Sequence, residues 1–190
     1  MYLKFLFLFV FFAPSFVLAK APAWQIVPEQ SGLTFTAHYG TSEIHGGFKN
    51  FGGEIVFAPG ALARSHVRME IAMASLTSED KDASEYLPTE SWLSAAKFTH
   101  AVFESKKFTH VKNKDYTAEG TLALRGKTQP VTLYFTLQEY DASHAKVSGH
   151  ATLSRTAFDI GQGEWADTGT VADAVEVTFT VEATKNPPPP

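Results

Sequence analysis

In Pro130-Val131-Thr132-Leu133-Tyr134-Phe135-Thr136-Leu137-Gln138 every second residue is apolar. Val131, Leu133, Phe135 and Leu137 fall on one face; Thr132, Tyr134, Thr136 and Gln138 fall on the other. That two-residue period is the mark of a half-buried strand. It recurs along the chain. Leu33, Phe35 and Ala37 alternate with Thr34, Thr36 and His38, and Ile55 and Phe57 flank Val56. Val67, Met69, Ile71 and Met73 alternate with Arg68, Glu70 and Ala72. Val102 and Phe103 open a less regular segment, and residues 116–124 alternate across Gly120. Val147, Gly149, Ala151 and Leu153 repeat the pattern, and Val175, Val177, Phe179 and Val181 complete it.

These segments predict about eight strands, a number that suits a closed antiparallel barrel with no exposed edge. Most links between them are short. Arg125-Gly126-Lys127 and Asp141-Ala142-Ser143-His144 each join neighbours, which makes those neighbours antiparallel. Periodicity alone also accommodates a β-sandwich.

Two segments depart from the alternation. Residues 77–96 carry the densest charge, with Glu79, Asp80, Lys81, Asp82 and Glu85. A helical insertion between the third and fourth strands is expected there, capped by Ser78. Pro88 should divide it, and Thr89 should cap a second short helix through Trp92 and Leu93. Residues 153–165 run from a strand into Arg155, then Phe158 and Ile160, then a Gly161-x-Gly163 turn closed by Trp165. This reads as a barrel rim. A nucleotide loop would need a third glycine and a following helix, and both are missing.

Composition narrows the function. The chain has 190 residues, 44% hydrophobic and 19% charged, and no cysteine. A formal charge of −4, without a basic run, argues against nucleic acid as a partner. The seven histidines lack metal-ligand spacing, and no G-x-S-x-G elbow is present, so neither a metal centre nor a hydrolase is expected. No catalytic residue and no cofactor is predicted.

Residues 1–19 read as a cleaved signal peptide: Lys4, an apolar run over 5–13, a Pro14-Ser15 break, and Val17 and Ala19 at the −3 and −1 positions. Cleavage after Ala19 is expected, which leaves 15 Lys and Arg against 20 Asp and Glu. The domain then spans 20–185. Asn186 and the four prolines after it form a tail that cannot join a sheet.

Several motifs, in order, carry a resemblance. They are Trp24-Gln25-Ile26-Val27 with Phe35-Thr36-Ala37-His38, then Gly47-Phe48 and Phe51-Gly52-Gly53-Glu54-Ile55. Trp92-Leu93, Lys97-Phe98 and Ala101-Val102-Phe103-Glu104-Ser105 follow. Gly120-Thr121-Leu122, Gly126, Pro130-Val131-Thr132-Leu133, Arg155, Phe158 and Gly161-Gln162-Gly163-Glu164-Trp165 complete the set. With these the chain resembles the YceI-like family over nearly its whole mature length. Two positions depart from the family pattern: His100 stands where proline is usual and Asp159 where glycine is usual. Both fall at strand edges or rims, where a change alters ligand access rather than fold.

The resemblance implies an all-β, eight-stranded antiparallel lipocalin-like barrel in the periplasm. It implies a polyisoprenoid, quinone or related amphiphilic lipid in the lumen. Candidate residues for lumen or mouth are Phe35, Ala37, Phe48, Phe57, Met69, Ile71, Trp92, Phe98, Phe103, Leu133, Phe135, Arg155, Phe158, Trp165 and Phe179. Arg155 has two readings: a fork for a ligand headgroup such as phosphate, or an ion pair with Asp159 or Glu164, the latter favoured. The lumen has two readings as well. It is a container for an apolar lipid, or it is packed shut in an interaction module that partners an envelope membrane protein such as a cytochrome. A homodimer is compatible with either.

Overall fold

The computed structural model describes residues 21–185. The expected signal peptide and proline tail lie outside the described residues. Eleven strands form one sheet: β1 (Ala23–Ile26), β2 (Gly32–Tyr39), β3 (Ser42–Phe48), β4 (Phe51–Val56), β5 (His66–Ala72), β6 (Leu76–Ser78), β7 (His100–Lys112), β8 (Asp115–Leu124), β9 (Lys127–Tyr140), β10 (His144–Ser154) and β11 (Ala174–Lys185). All pairings are antiparallel.

The eleven strands make a closed barrel of eight walls. Three walls are each broken in two. β1 and β2 both pair with β11, at Trp24↔Lys185 through Ile26↔Ala183 and again at Gly32↔Thr180 through Thr36↔Glu176. They are therefore successive halves of one wall, interrupted by the 3-10 turn Pro28–Gln30. β3 and β4 form the second wall. β5 and β6 form the third, with the turn Met73–Ser75 between them. β7 to β11 supply the other five. The eight alternating segments of the sequence map one onto each wall, and the insertion falls between the third and fourth.

Local chemistry explains the joints. Arg125 and Gly126 have φ of 51° and 74°, a two-residue turn with both centres left-handed, so Lys127 is already in β9. The irregular segment after Val102 is a β-bulge between Ser105 and Lys107. The extra residue switches the inward face from Phe103 and Ser105 to Phe108. In the insertion, the single helix α1 (Lys81–Tyr86) is capped by Asp80, whose carboxylate accepts from the Ala83 N–H at 2.8 Å. Ser78 is not the cap, because it ends β6 and its hydroxyl donates to the His45 carbonyl at 2.7 Å. The second helix does not form. After Pro88 the chain folds into turns in which the Trp92 and Ser94 N–H groups both donate to the Thr89 carbonyl.

Two apolar clusters fill the ends of the barrel. One gathers Trp24, Phe57, Tyr116, Leu137 and Ala183. There the Trp24 Nε1–H donates to the Phe57 carbonyl at 2.9 Å, and Phe57 meets Phe108, Tyr116 and Phe135 at centroid distances of 5.5, 5.7 and 5.9 Å. The other gathers Met73, Ala101, Phe103, Leu122 and Phe158 beneath the loops that follow β6 and β10.

On the outer surface, Glu182 of β11 accepts from His144 Nε2 at 3.0 Å and pairs with Lys146 at 3.2 Å. The hydrogen bond from His144, with Lys146 behind it, holds the Glu182 carboxyl below its ordinary pKa. Backbone N–H groups of Ser143 and His144 do the same for Asp141 in the adjoining turn. A depressed carboxylate contributes stability that is present above its unfolded pKa and is lost as pH falls through the folded one. The urea midpoint is therefore expected to hold steady down to about pH 5 and to decline below about pH 4, followed by circular dichroism.

Candidate functional site

Alternation in a closed ring sends half of all wall residues inward, and here those that line the lumen are almost all hydrocarbon. The inward faces of β9 (Val131, Leu133, Phe135, Leu137) and β11 (Val175, Val177, Phe179, Val181, Ala183) line a cavity of about 330 Å³. β5 adds Val67, Met69 and Ile71; β2, β3 and β4 add Leu33, Phe35, Ala37, Phe48, Phe51 and Ile55. Leu87, Trp92 and Leu93 of the insertion and Phe158 and Ile160 of the β10–β11 loop close one end. The volume falls within the about 300–1,000 Å³ range of small-molecule sites.

Space for the aromatic rings comes from glycine opposite them. Gly149 pairs with Phe179 on one side and Phe135 on the other, and a Cβ there would collide with the Phe179 ring and the Tyr134 carbonyl. Gly46 sits beside the Phe35 ring in the same way.

Arg155 is the one charged residue of the lining and is only 2% exposed. Its guanidinium donates to five backbone carbonyls. Nε reaches Ala172 at 3.1 Å; Nη1 reaches Ile160 at 2.9 Å and Gly161 at 3.2 Å; Nη2 reaches Val171 at 2.8 Å and Asp167 at 3.3 Å. A guanidinium has five N–H donors, so all are engaged and none remains for a ligand headgroup. Neither predicted carboxylate partner is used. Asp159 instead pairs with Lys127 at 2.9 Å. Burial draws the guanidinium below its ordinary pKa, while the Asp173 and Asp167 carboxylates act in the opposite sense. Arg155 is thus a structural pin that draws residues 160–172 inward over the barrel end.

The loop around this pin is built to match. Gly161 has φ of 76° and passes directly over Nη1, where a Cβ would clash. Asp159 is left-handed at φ 57°. The Gly161 and Gln162 N–H groups both donate to the Ser91 carbonyl at 2.9 Å, which ties the loop to the insertion.

All the sequence-predicted site residues line the cavity except Phe98 and Trp165. Phe98 is half-buried and packs on the Gly126 turn instead. Trp165 lies over the loop end, with its ring centroid 5.6 Å from Trp92, 6.1 Å from Tyr86 and 6.4 Å from Tyr39. Trp24, Leu33, Phe51, Ile55 and Phe108 also line the cavity and were not among the candidates. Leu33 and Ile55 were legible from the alternation already noted. Phe108 was hidden by the bulge that precedes it.

An antiparallel ring around one apolar lumen, sealed at the ends by aromatics and a pinned loop, defines a lipocalin-like barrel. The YceI-like domain model matches residues 24–183, and the chain belongs to that family. A UPF0312 protein of Yersinia pestis is 30% identical over 151 residues, 76% of each chain. The chain spans about half the length of the Vibrio cholerae UPF0312 proteins it matches at 29% identity. The crystal structure of Burkholderia cenocepacia BcnA superposes with a TM-score of 0.79 at 28% identity, covering 84% of this chain and 99% of that one. A polyisoprenoid-binding domain from Saccharophagus degradans shares the fold at a TM-score of 0.67 and 14% identity, covering 87% of this chain and 99% of that one.

Replacing Arg155 with lysine keeps the charge but not the planar fork. An ammonium has three donors, so at least two carbonyls then lose theirs in a dry site, where each costs about 1–3 kcal/mol. Arg155→Lys is expected to lower unfolding free energy by about 2 kcal/mol or more in urea titration.

Proposed function

We propose that this protein is a periplasmic, non-catalytic carrier that holds one long apolar molecule, a polyisoprenoid, quinone or related amphiphilic lipid, in its lumen. The observation that carries this is the open, hydrocarbon-lined cavity inside the closed ring of strands. A module with its lumen packed shut would leave no such volume. The polyisoprenoid-binding neighbour and the signal-peptide pattern of residues 1–19 support the same reading.

Magnitudes favour a long chain. Each buried CH₂ contributes about 0.8 kcal/mol, so twenty contribute about 16 kcal/mol. That exceeds the association cost of about 4–15 kcal/mol, which shorter chains do not reliably overcome. Binding then needs no charge pair and no covalent chemistry, which accords with an Arg155 whose donors are already engaged.

Native mass spectrometry of protein exported in a bacterial host, followed by solvent extraction, tests the proposal. A co-purifying lipid of defined mass, or uptake of a fluorescent apolar probe, is expected. Protein that is repeatedly empty and takes up no probe overturns the carrier reading. Phe135→Arg places a charge in the hydrocarbon lumen and should abolish uptake. Ala151→Phe, which fills space without burying a charge, should reduce uptake at least about tenfold while the fold persists by circular dichroism.

A further inference from the structure

The barrel wall has an open seam. The first and second walls pair at Ala23↔Val56 and Trp24↔Ile55, then not again until Thr34↔Gly47. Between those points residues 25–33 and 48–54 have no strand partner across the seam, because each wall is broken there. A second gap, between residues 127–133 of β9 and 151–154 of β10, is sealed. The turn Thr156–Phe158 fills it, Gln129 Nε2 donates to the Ala157 carbonyl at 2.9 Å, and Phe158 is 2% exposed.

Outside the first seam runs a second cavity of about 660 Å³, walled by Ser31, Gly32, Thr34, His45, Lys49 and Glu79, among others. It shares Leu33, Thr34, Phe35, Phe48 and Phe51 with the lumen. Residues that line both form the partition between the two spaces.

We propose that this seam is the ligand's doorway: the apolar chain passes sideways between β2 and β4 into the lumen, and its polar end stays in the outer groove beside Lys49. This rests on the carrier reading above. Lys49 is the only lysine or arginine of the groove and has no carboxylate within ion-pair distance among the described residues. Glu79 shares the groove and opposes a second negative charge. The ligand class is therefore a single-chain amphiphile whose head is a carbonyl or a monoanionic carboxylate.

Gly32 lines the groove, and a Cβ there meets nothing within 4 Å, so a side chain can be introduced there without a clash at its root. Stopped-flow binding of diphenylhexatriene, a probe with no head, should show association and dissociation both about tenfold slower in Gly32→Trp, with Kd unchanged. Gly60→Trp, equally unobstructed but on the distant 3-10 turn Pro59–Arg64, should exchange at the wild-type rate. A conjugated polyene fatty acid reads the head. Lys49→Ala should weaken it about two- to fivefold and leave diphenylhexatriene unaffected. Wild-type exchange rates in Gly32→Trp overturn the doorway, and equal effects of Lys49→Ala on both probes overturn the head position. A wild-type protein that binds neither probe overturns the carrier reading, and the doorway falls with it.

Discussion

A hydrocarbon interior has no water to satisfy the peptide groups that surround it, so the backbone must satisfy itself. An unpaired buried N–H or C=O costs as much as a lost hydrogen bond. Closing the sheet on itself is the solution found here, and β11 carries the closure. It pairs along its full length with β10 on one edge and with both halves of the first wall on the other. Once the ring is closed, the two-residue period assigns every side chain to the lumen or to solvent, and no sheet edge is left between the first and last walls.

The barrel ends obey the same rule with different means. A sheet cannot cap itself, and a loop laid across an apolar mouth exposes carbonyls to a dry space. At the β10–β11 loop those carbonyls converge on one guanidinium. A buried charge is ordinarily a liability. Here five carbonyl dipoles solvate it, and the backbone of residues 160–172 is held in return. At the opposite end the plug is aromatic, with Phe57 at the centre of three other rings. Polar packing at one end and hydrocarbon packing at the other leave the middle of the lumen free.

Much of this was legible in the sequence, because alternation is a local signal. Val131 to Leu137 announces its inward face without reference to any partner. The second halves of the broken walls were harder to see. In β3 the inward side is partly glycine, since Gly46 yields its space to the ring of Phe35, and a glycine in place of an apolar residue erases the pattern. The bulge at Ser105 hid Phe108 for a related reason: one extra residue reverses the parity. The partners of Arg155 were beyond sequence reading altogether. Side-chain complementarity suggested a carboxylate, whereas the true partners are carbonyls, which every residue carries. The second helix expected after Thr89 failed because the residues after Pro88 tie their N–H groups back in tight turns instead.

Ring closure also sets an order of events. The strand that completes the barrel, β11, is the last among the described residues, and it joins Trp24 to Lys185. Until residues 174–185 are available, the earlier strands can form hairpins but cannot enclose anything, and their apolar faces stay bare. Pairings this distant in sequence form slowly. A chain still lacking that strand is an open, sticky half-barrel. The five carbonyls that the Arg155 side chain gathers all lie within seventeen residues of it, so the pin itself can assemble early. It thus offers a preformed lid to a vessel still waiting for its last stave.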